Sequence, residues 1–226
     1  MAFNQPTEWT HPCCALRRST AHQVAGQMSV RNSVASIFAA FALLLPAPRA
    51  AGDSPAPPST YETISANQQF VFVMVPPISL DKELRTWKGA LGAKIRQIRA
   101  VRSVSGMYRN DGTSEPLWTV DWYAGGVEVF SDGKHLIRHG PWASMLTDEA
   151  ITFFWKDRQL REYSVSDLVK DQHKLRHTVS HFFWEIDSHL DDDGLRYTLI
   201  TVDQRCYVFD ATTGEIISST SPCELP

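Results

Sequence analysis

Three histidines, His173, His177 and His181, follow one another at four-residue steps. On a helix that spacing lines the imidazoles along one face, which suits a divalent metal. The flanking Thr178-Val179 and Phe182-Phe183-Trp184 instead favour a strand beginning by His181, which scatters the three. A further pair, His135 and His139, flanks the second strand of a predicted hairpin. If the sheet carries His139 to His177 and His181, those three become candidate metal ligands; surface or packing histidines are the alternative use.

Tryptophan is the second chemical resource. Trp118, Trp122, Trp142 and Trp155 crowd one stretch, with Trp87 and Trp184 on either side. Indole faces stack on sugar rings, so Trp118, Trp122 and Trp142 form a candidate aromatic surface for a glycan, and filling a small β core is the competing role. Asp191-Asp192-Asp193-Gly194 could face a calcium ion, but an EF-hand loop needs Glu at its twelfth position and Val202 stands there. A solvated turn is the better reading. Asp121 and Glu185 each neighbour tryptophan and would have raised pKa values if buried. Gly-x-Ser-x-Gly, a phosphate-cradling glycine loop and His-Glu-x-x-His do not occur.

Positioning these residues falls to a unit that recurs in the second half of the chain: strand, tight turn, strand. Residues 127–130 turn at Ser131-Asp132-Gly133-Lys134 into 135–138; residues 151–155 turn at Lys156-Asp157-Arg158-Gln159 into 160–165; residues 197–202 turn at Asp203-Gln204-Arg205 into 206–209. Alternating apolar residues around such punctuation predict an antiparallel meander of about eight or nine strands between Trp118 and Ile217. A continuous apolar run at 69–75 predicts a strand buried on both faces, stopped by Pro76-Pro77. From 81 to 99 the period changes: Leu84, Trp87, Leu91, Ile95 and Ile98 mark one amphipathic helix, capped by Ser79 or Asp81. Gly89 and Gly92 weaken it by about 1 kcal/mol each, so packing must hold it.

Charge is segregated. Residues 81–102 carry seven Lys/Arg against Asp81 and Glu83, while the rest of the chain beyond them is acidic and the whole has a formal charge of -3. That balance offers no case for nucleic acid. The basic helix reads as a solvated face answering an acidic sheet, or as a contact for an anionic surface.

Residues 28–52 have the parts of a secretory signal peptide: Arg31, an apolar run over 34–45 and a small-residue exit ending at Gly52. The run is shorter than the roughly 20 residues of a membrane span, so no transmembrane span is expected in the mature chain. Residues 1–27 then read as an upstream extension ahead of a start at Met28, 53–68 as a flexible leader, and 69–226 as a single β-rich domain. Cys206 and Cys223 remain after cleavage, and an oxidising compartment permits a disulfide that staples the tail to the last hairpin.

The segment 198–217, Thr-Leu-Ile-Thr-Val-Asp-Gln-Arg-Cys-Tyr-Val-Phe-Asp-Ala-Thr-Thr-Gly-Glu-Ile-Ile, resembles the blade repeat of PQQ-type β-propellers. The resemblance implies blade-like hairpins and brings no cofactor, because no binding residue can be matched. Propellers have at least four blades of roughly 40–45 residues, more than this chain can hold beside its helix and leader. An incomplete propeller, a sandwich or a half-barrel is therefore expected. Leu117-Trp-Thr-Val-Asp-Trp-Tyr123 and Arg138-His-Gly-Pro-Trp-Ala143 are similar to segments of an uncharacterised family of exported bacterial proteins, which implies no activity.

These readings combine into a mainly β domain exported to the periplasm or beyond, acting as a non-enzymatic binding or interaction module. Its partner is an extracytoplasmic protein or a glycan, and no cofactor is expected. A metal-binding protein or metal-dependent enzyme using the histidines, with a divalent metal, and a carbohydrate-binding domain using tryptophan are the alternatives.

Overall fold

Side chains that bond back to the backbone make the turns that cut this chain into strands. Asp132 accepts from the Lys134 and His135 amides at 2.8 and 3.0 Å, and Gly133 takes a positive φ of 65°. Asp210 accepts from the Thr212 amide at 2.7 Å, with Gly214 at φ 74° closing that turn. The Asp203 carboxylate bonds Thr201 at 2.5 Å and also the amides of Lys170 and Asp171, tying a neighbouring segment to its hairpin. Such Asx geometry is the reason aspartate punctuates β-rich sequences.

The structure is a computed structural model describing residues 54–191 and 195–223. The expected signal peptide at 28–52, the extension at 1–27 and most of the triple-aspartate loop lie outside the described residues. Among the described residues, fourteen strands form four antiparallel sheets. Sheet I contains β1 (Tyr61–Ile64), β2 (Phe70–Met74), β3 (Gly106–Arg109) and β4 (Trp118–Thr119). Sheet II contains β5 (Val127–Val129), β6 (His135–His139), β7 (Glu149–Trp155) and β8 (Arg158–Ser164). A two-stranded ribbon, β9 (Arg176–His177) and β10 (Phe182–Phe183), precedes sheet III: β11 (Glu185–Asp191), β12 (Arg196–Thr201), β13 (Cys206–Asp210) and β14 (Glu215–Thr220). Each four-stranded sheet pairs its strands in chain order, so the expected meander is present. Between Trp118 and Ile217 the described residues hold eleven strands, β4 to β14, against the eight or nine expected, because several are only two or three residues long.

Alternation of side chains explains how the sheets pack. One face of β2 and β3, with Phe72, Met74 and Met107, meets Val127, Val129, Leu136 and Phe154 of sheet II. The opposite face of sheet II, with Ile137, Ile151 and Phe153, meets Tyr197, Leu199, Tyr207 and Phe209 of sheet III. Strands β2 and β7 are buried on both sides, which is why their sequences are nearly continuous apolar runs. The outer face of sheet I, with Val71, Val73 and Tyr108, is covered by Ile98 of a helix.

That helix corrects one expectation. The predicted single helix over 81–99 is two: α1 (Leu80–Thr86) and α2 (Gly89–Val101). Trp87 and Lys88 are extended, and Gly89 sits at φ 62°, so Gly89 opens the second helix rather than weakening the interior of one. Ser79 caps α1, accepting from the Lys82 amide at 3.3 Å. A short helix α3 (Val165–Leu168) and a 3-10 turn at Gln172–Lys174 follow β8.

The leader expected at 53–68 is corrected as well. Its last part is strand β1, and Thr60 is buried with its amide and hydroxyl both bonded to the Glu83 carboxylate. The short Tyr-Glu-Thr-Ile strand hides in a Pro/Ser-rich context, and long-range hydrogen bonds supply what local pattern does not. At the other end Cys206 and Cys223 are joined in a disulfide, and the Cys223 amide donates to the Gln204 carbonyl at 2.8 Å.

Candidate functional site

The chain leaves sheet II at the end of β6 through His139-Gly140-Pro141-Trp142. Gly140 still pairs with β7, its amide donating to the Ala150 carbonyl at 2.8 Å, and a Cβ there would overlap the Glu149 carbonyl. Pro141 then turns the chain outward, leaving Trp142 at the surface. The Ala143 carbonyl accepts from the Phe182 amide at 3.0 Å, which docks the β9–β10 ribbon beside this corner. The ribbon's turn is built by Thr178, whose hydroxyl contacts His181 Nδ1 at 2.7 Å and whose amide donates to the His181 carbonyl at 2.7 Å. These bonds set the imidazole of His181 flat on the Trp142 indole, centroids 3.9 Å apart and planes 7° from parallel. Phe183 meets His181 edge-on at 4.8 Å and is 52% exposed.

Corner and ribbon frame a cleft of about 440 Å³ that runs on to the first residues of β11. One end is aromatic, with Trp142, His181, Phe183 and Trp184. The other end is polar and holds His139, Glu185 and Asp187. His139 stands between two carboxylates from two sheets, 3.8 Å from Glu128 of β5 and 3.7 Å from Glu185 of β11. Burial opposes its charge, but the two carboxylates prevail and push its pKa to about 9. Burial likewise works to raise the Glu185 pKa, yet the bond from His139 leaves it lowered. Tyr197 presents its ring to His139 at 6.3 Å, and burial raises its phenol pKa. At neutral pH the polar end therefore has one imidazolium flanked by two carboxylates.

The sequence-derived site residues divide between this cleft and the core. His139, His181 and Trp142 line the cleft together, as does Glu185. His177 does not join them: it is exposed on β9, its ring against Phe182 at 5.5 Å. His173 is exposed in the 3-10 turn. Among the described residues, no three His, Cys, Asp or Glu side chains are gathered to hold a metal ion.

Trp118 and Trp122 do not join Trp142 in the cleft: both are half-buried and pack against the core between sheets I and II. Trp118 donates its Nε1 to the Gly133 carbonyl at 2.9 Å. Trp122 lies between Phe72, Phe154 and the guanidinium of Arg138, which is 5.0 Å from its ring centroid. Asp121 faces solvent. Glu128 and Phe183 belong to this region although nothing in the sequence marks them as site residues. The facing of Glu128 alone was within reach: flanked by buried Val127 and Val129, it must face the opposite side of sheet II. Phe183 carried no such signal, since its exposure depends on how the ribbon docks. No family model matches the chain, and no curated protein matches it.

Proposed function

We propose that the protein is an exported, non-enzymatic binding module whose ligand seats on the Trp142–His181–Phe183 shelf and reaches the His139–Glu185 pair. The exposed indole of Trp142, held flat on the buried His181 ring beside the cleft, is the observation that supports this most directly. Aromatic faces beside a few fixed polar groups are the usual composition of a small-ligand site. A glycan suits it best: a sugar's apolar face covers the rings while its hydroxyls donate to Glu185 and Asp187. A ring held protonated between two carboxylates can donate to a ligand but is a poor base or metal ligand at neutral pH. The Cys206–Cys223 disulfide is in keeping with an oxidising compartment, and the resemblance to propeller blades bears on the scaffold alone.

Intrinsic tryptophan fluorescence of the full chain, titrated with a panel of oligosaccharides, tests the glycan reading. A saturable change that disappears in Trp142→Ala is expected. No response across the panel, or a response unchanged in that variant, refutes it. Export is checked by N-terminal sequencing of protein recovered outside the cytoplasm, where a start at Asp53 is expected and an end before Gly52 would refute cleavage.

A further inference from the structure

Strand β1 ends sheet I, and only alternate residues of it bond to β2. In an antiparallel pair, a residue that exchanges both backbone bonds with its partner is followed by one that turns both groups away. The Ser65 amide donates to the Phe70 carbonyl at 3.0 Å, and the same register continues through Thr63–Phe72 and Tyr61–Met74. Glu62 and Ile64 therefore point their N–H and C=O groups outward along an edge that no other strand pairs with among the described residues. An uncovered edge of this kind is a template for another strand.

Helix α2 runs beside that edge and leaves a groove of about 530 Å³, with Glu62 on its strand side. The helix side offers Ala90, Ala93, Gln97 and Val101, one stripe at three- and four-residue steps. Two alanines leave room for a chain to lie alongside. At the groove's far end Val101 is 42% exposed, and Ile64 on the same face of sheet I as Val71 is 50% exposed.

Charge gives the groove a polarity. Among the described residues that line it, Glu62 is the only acid, and it is answered by Lys94 at 3.5 Å. Arg102 also lines the groove. It is 8% exposed, its guanidinium lies 5.3 Å from the centroid of the Tyr108 ring, and its Nε has no hydrogen-bond partner. A buried guanidinium nitrogen left unbonded is costly unless an acceptor arrives. The Arg102 Nη2 donates to the Arg109 carbonyl at 3.4 Å, so the groove combines a strand edge, a small-residue wall and a buried cation with one nitrogen left unbonded among the described residues.

We propose that this groove binds an extended peptide as an added strand on β1, with an acidic side chain or terminal carboxylate of the peptide paired to Arg102. Main-chain bonds to Glu62 and Ile64 supply the attachment, and the alanine stripe selects small or β-branched side chains. An anionic amphiphile would use the same cation and apolar wall but has no need of the edge.

The test uses the full chain and a fluorescein-labelled hexapeptide of alternating valine and threonine that ends in a free aspartate. Fluorescence polarisation should show saturable binding. A peptide with proline at its centre lacks an edge donor and should bind at least about tenfold more weakly. Ala93→Trp fills the groove from an exposed helix position and should weaken the parent peptide to the same degree, with an unchanged circular dichroism melt. If that variant does not fold, Gln97→Trp serves instead. Equal binding of the proline peptide, binding indifferent to both variants, or no binding at all overturns the proposal. So does displacement of the peptide by dodecanoate or phosphatidylglycerol vesicles that bind the groove more tightly than the peptide.

Discussion

Arg99 of α2 grips Glu83 of α1, nitrogen to oxygen 2.7 Å, and the carboxylate it holds has no exposed surface. The same carboxylate takes the amide and hydroxyl of Thr60. One buried acid therefore fastens two helices to the chain entering β1. Glu83→Ala leaves Arg99 and the Thr60 amide without it, and removing one partner of a buried pair costs about 3–5 kcal/mol. Urea unfolding should show that loss, and limited proteolysis should cut ahead of β1 sooner than in the parent. A loss below about 1 kcal/mol would mean that water replaces the carboxylate.

His139 gives the protein an alkaline limit. Its folded pKa of about 9 lies above the ordinary histidine value of about 6.5, so its contribution is complete below the latter and fades as pH rises through the former. Glu185 works in the opposite sense: its lowered pKa contributes above the ordinary carboxylate range and is lost as pH falls. Stability should peak between about pH 5 and 7 and fall by at most about 3 kcal/mol toward pH 9.5. His139→Gln should flatten the alkaline limb of a Tm-against-pH curve. An identical limb in that variant would assign the loss to other groups.

The disulfide closes a loop with a sequence separation of 17. Chain-entropy arguments give about 3 kcal/mol for a loop of this size. Reduction, or the double Cys206→Ser and Cys223→Ser variant, should lower the urea midpoint accordingly and expose the tail of sheet III to carboxypeptidase. An unchanged midpoint would show that the tail contributes nothing to that sheet.

Gly140 sits where β6 approaches β7 too closely for any side chain. Gly140→Ala should push the His139–Trp142 corner off the sheet, costing more than about 2 kcal/mol. The same variant should disturb the cleft, moving the fluorescence of Trp142 even at temperatures where the fold survives. Gly125→Ala, which meets nothing within 4 Å, is the matched control.

Much of the scaffold was legible because its signals are local. Asp132 and Asp210 mark turns by side-chain bonds that act over two or three residues, and the Asp157 and Asp203 turns also separate paired strands. The β2 run and the α2 periodicity are equally short-range. Strand β1 was missed because four residues carry too little pattern, and what orders them is Glu83, more than twenty positions away. The helix break is half visible in the sequence: Gly89 reads as a cost to one helix, whereas its positive φ makes it the joint between two. The cleft was legible only in pieces. Sequence singled out His139, Trp142, His181 and Glu185 separately, but could not tell that His177 would face away or that Trp118 and Trp122 would pack inward. Those outcomes are decided by which sheets meet.

Sheet II alone belongs to both large cores: Phe154 and Leu136 serve one, Phe153 and Ile137 the other. A row of three sheets joined by two interfaces has nearest-neighbour cooperativity. Damage to sheet I or sheet III severs one interface and leaves a two-sheet remnant; damage to sheet II severs both. Tolerance to mutation should therefore fall toward the middle of the row, and unfolding should start from its two ends.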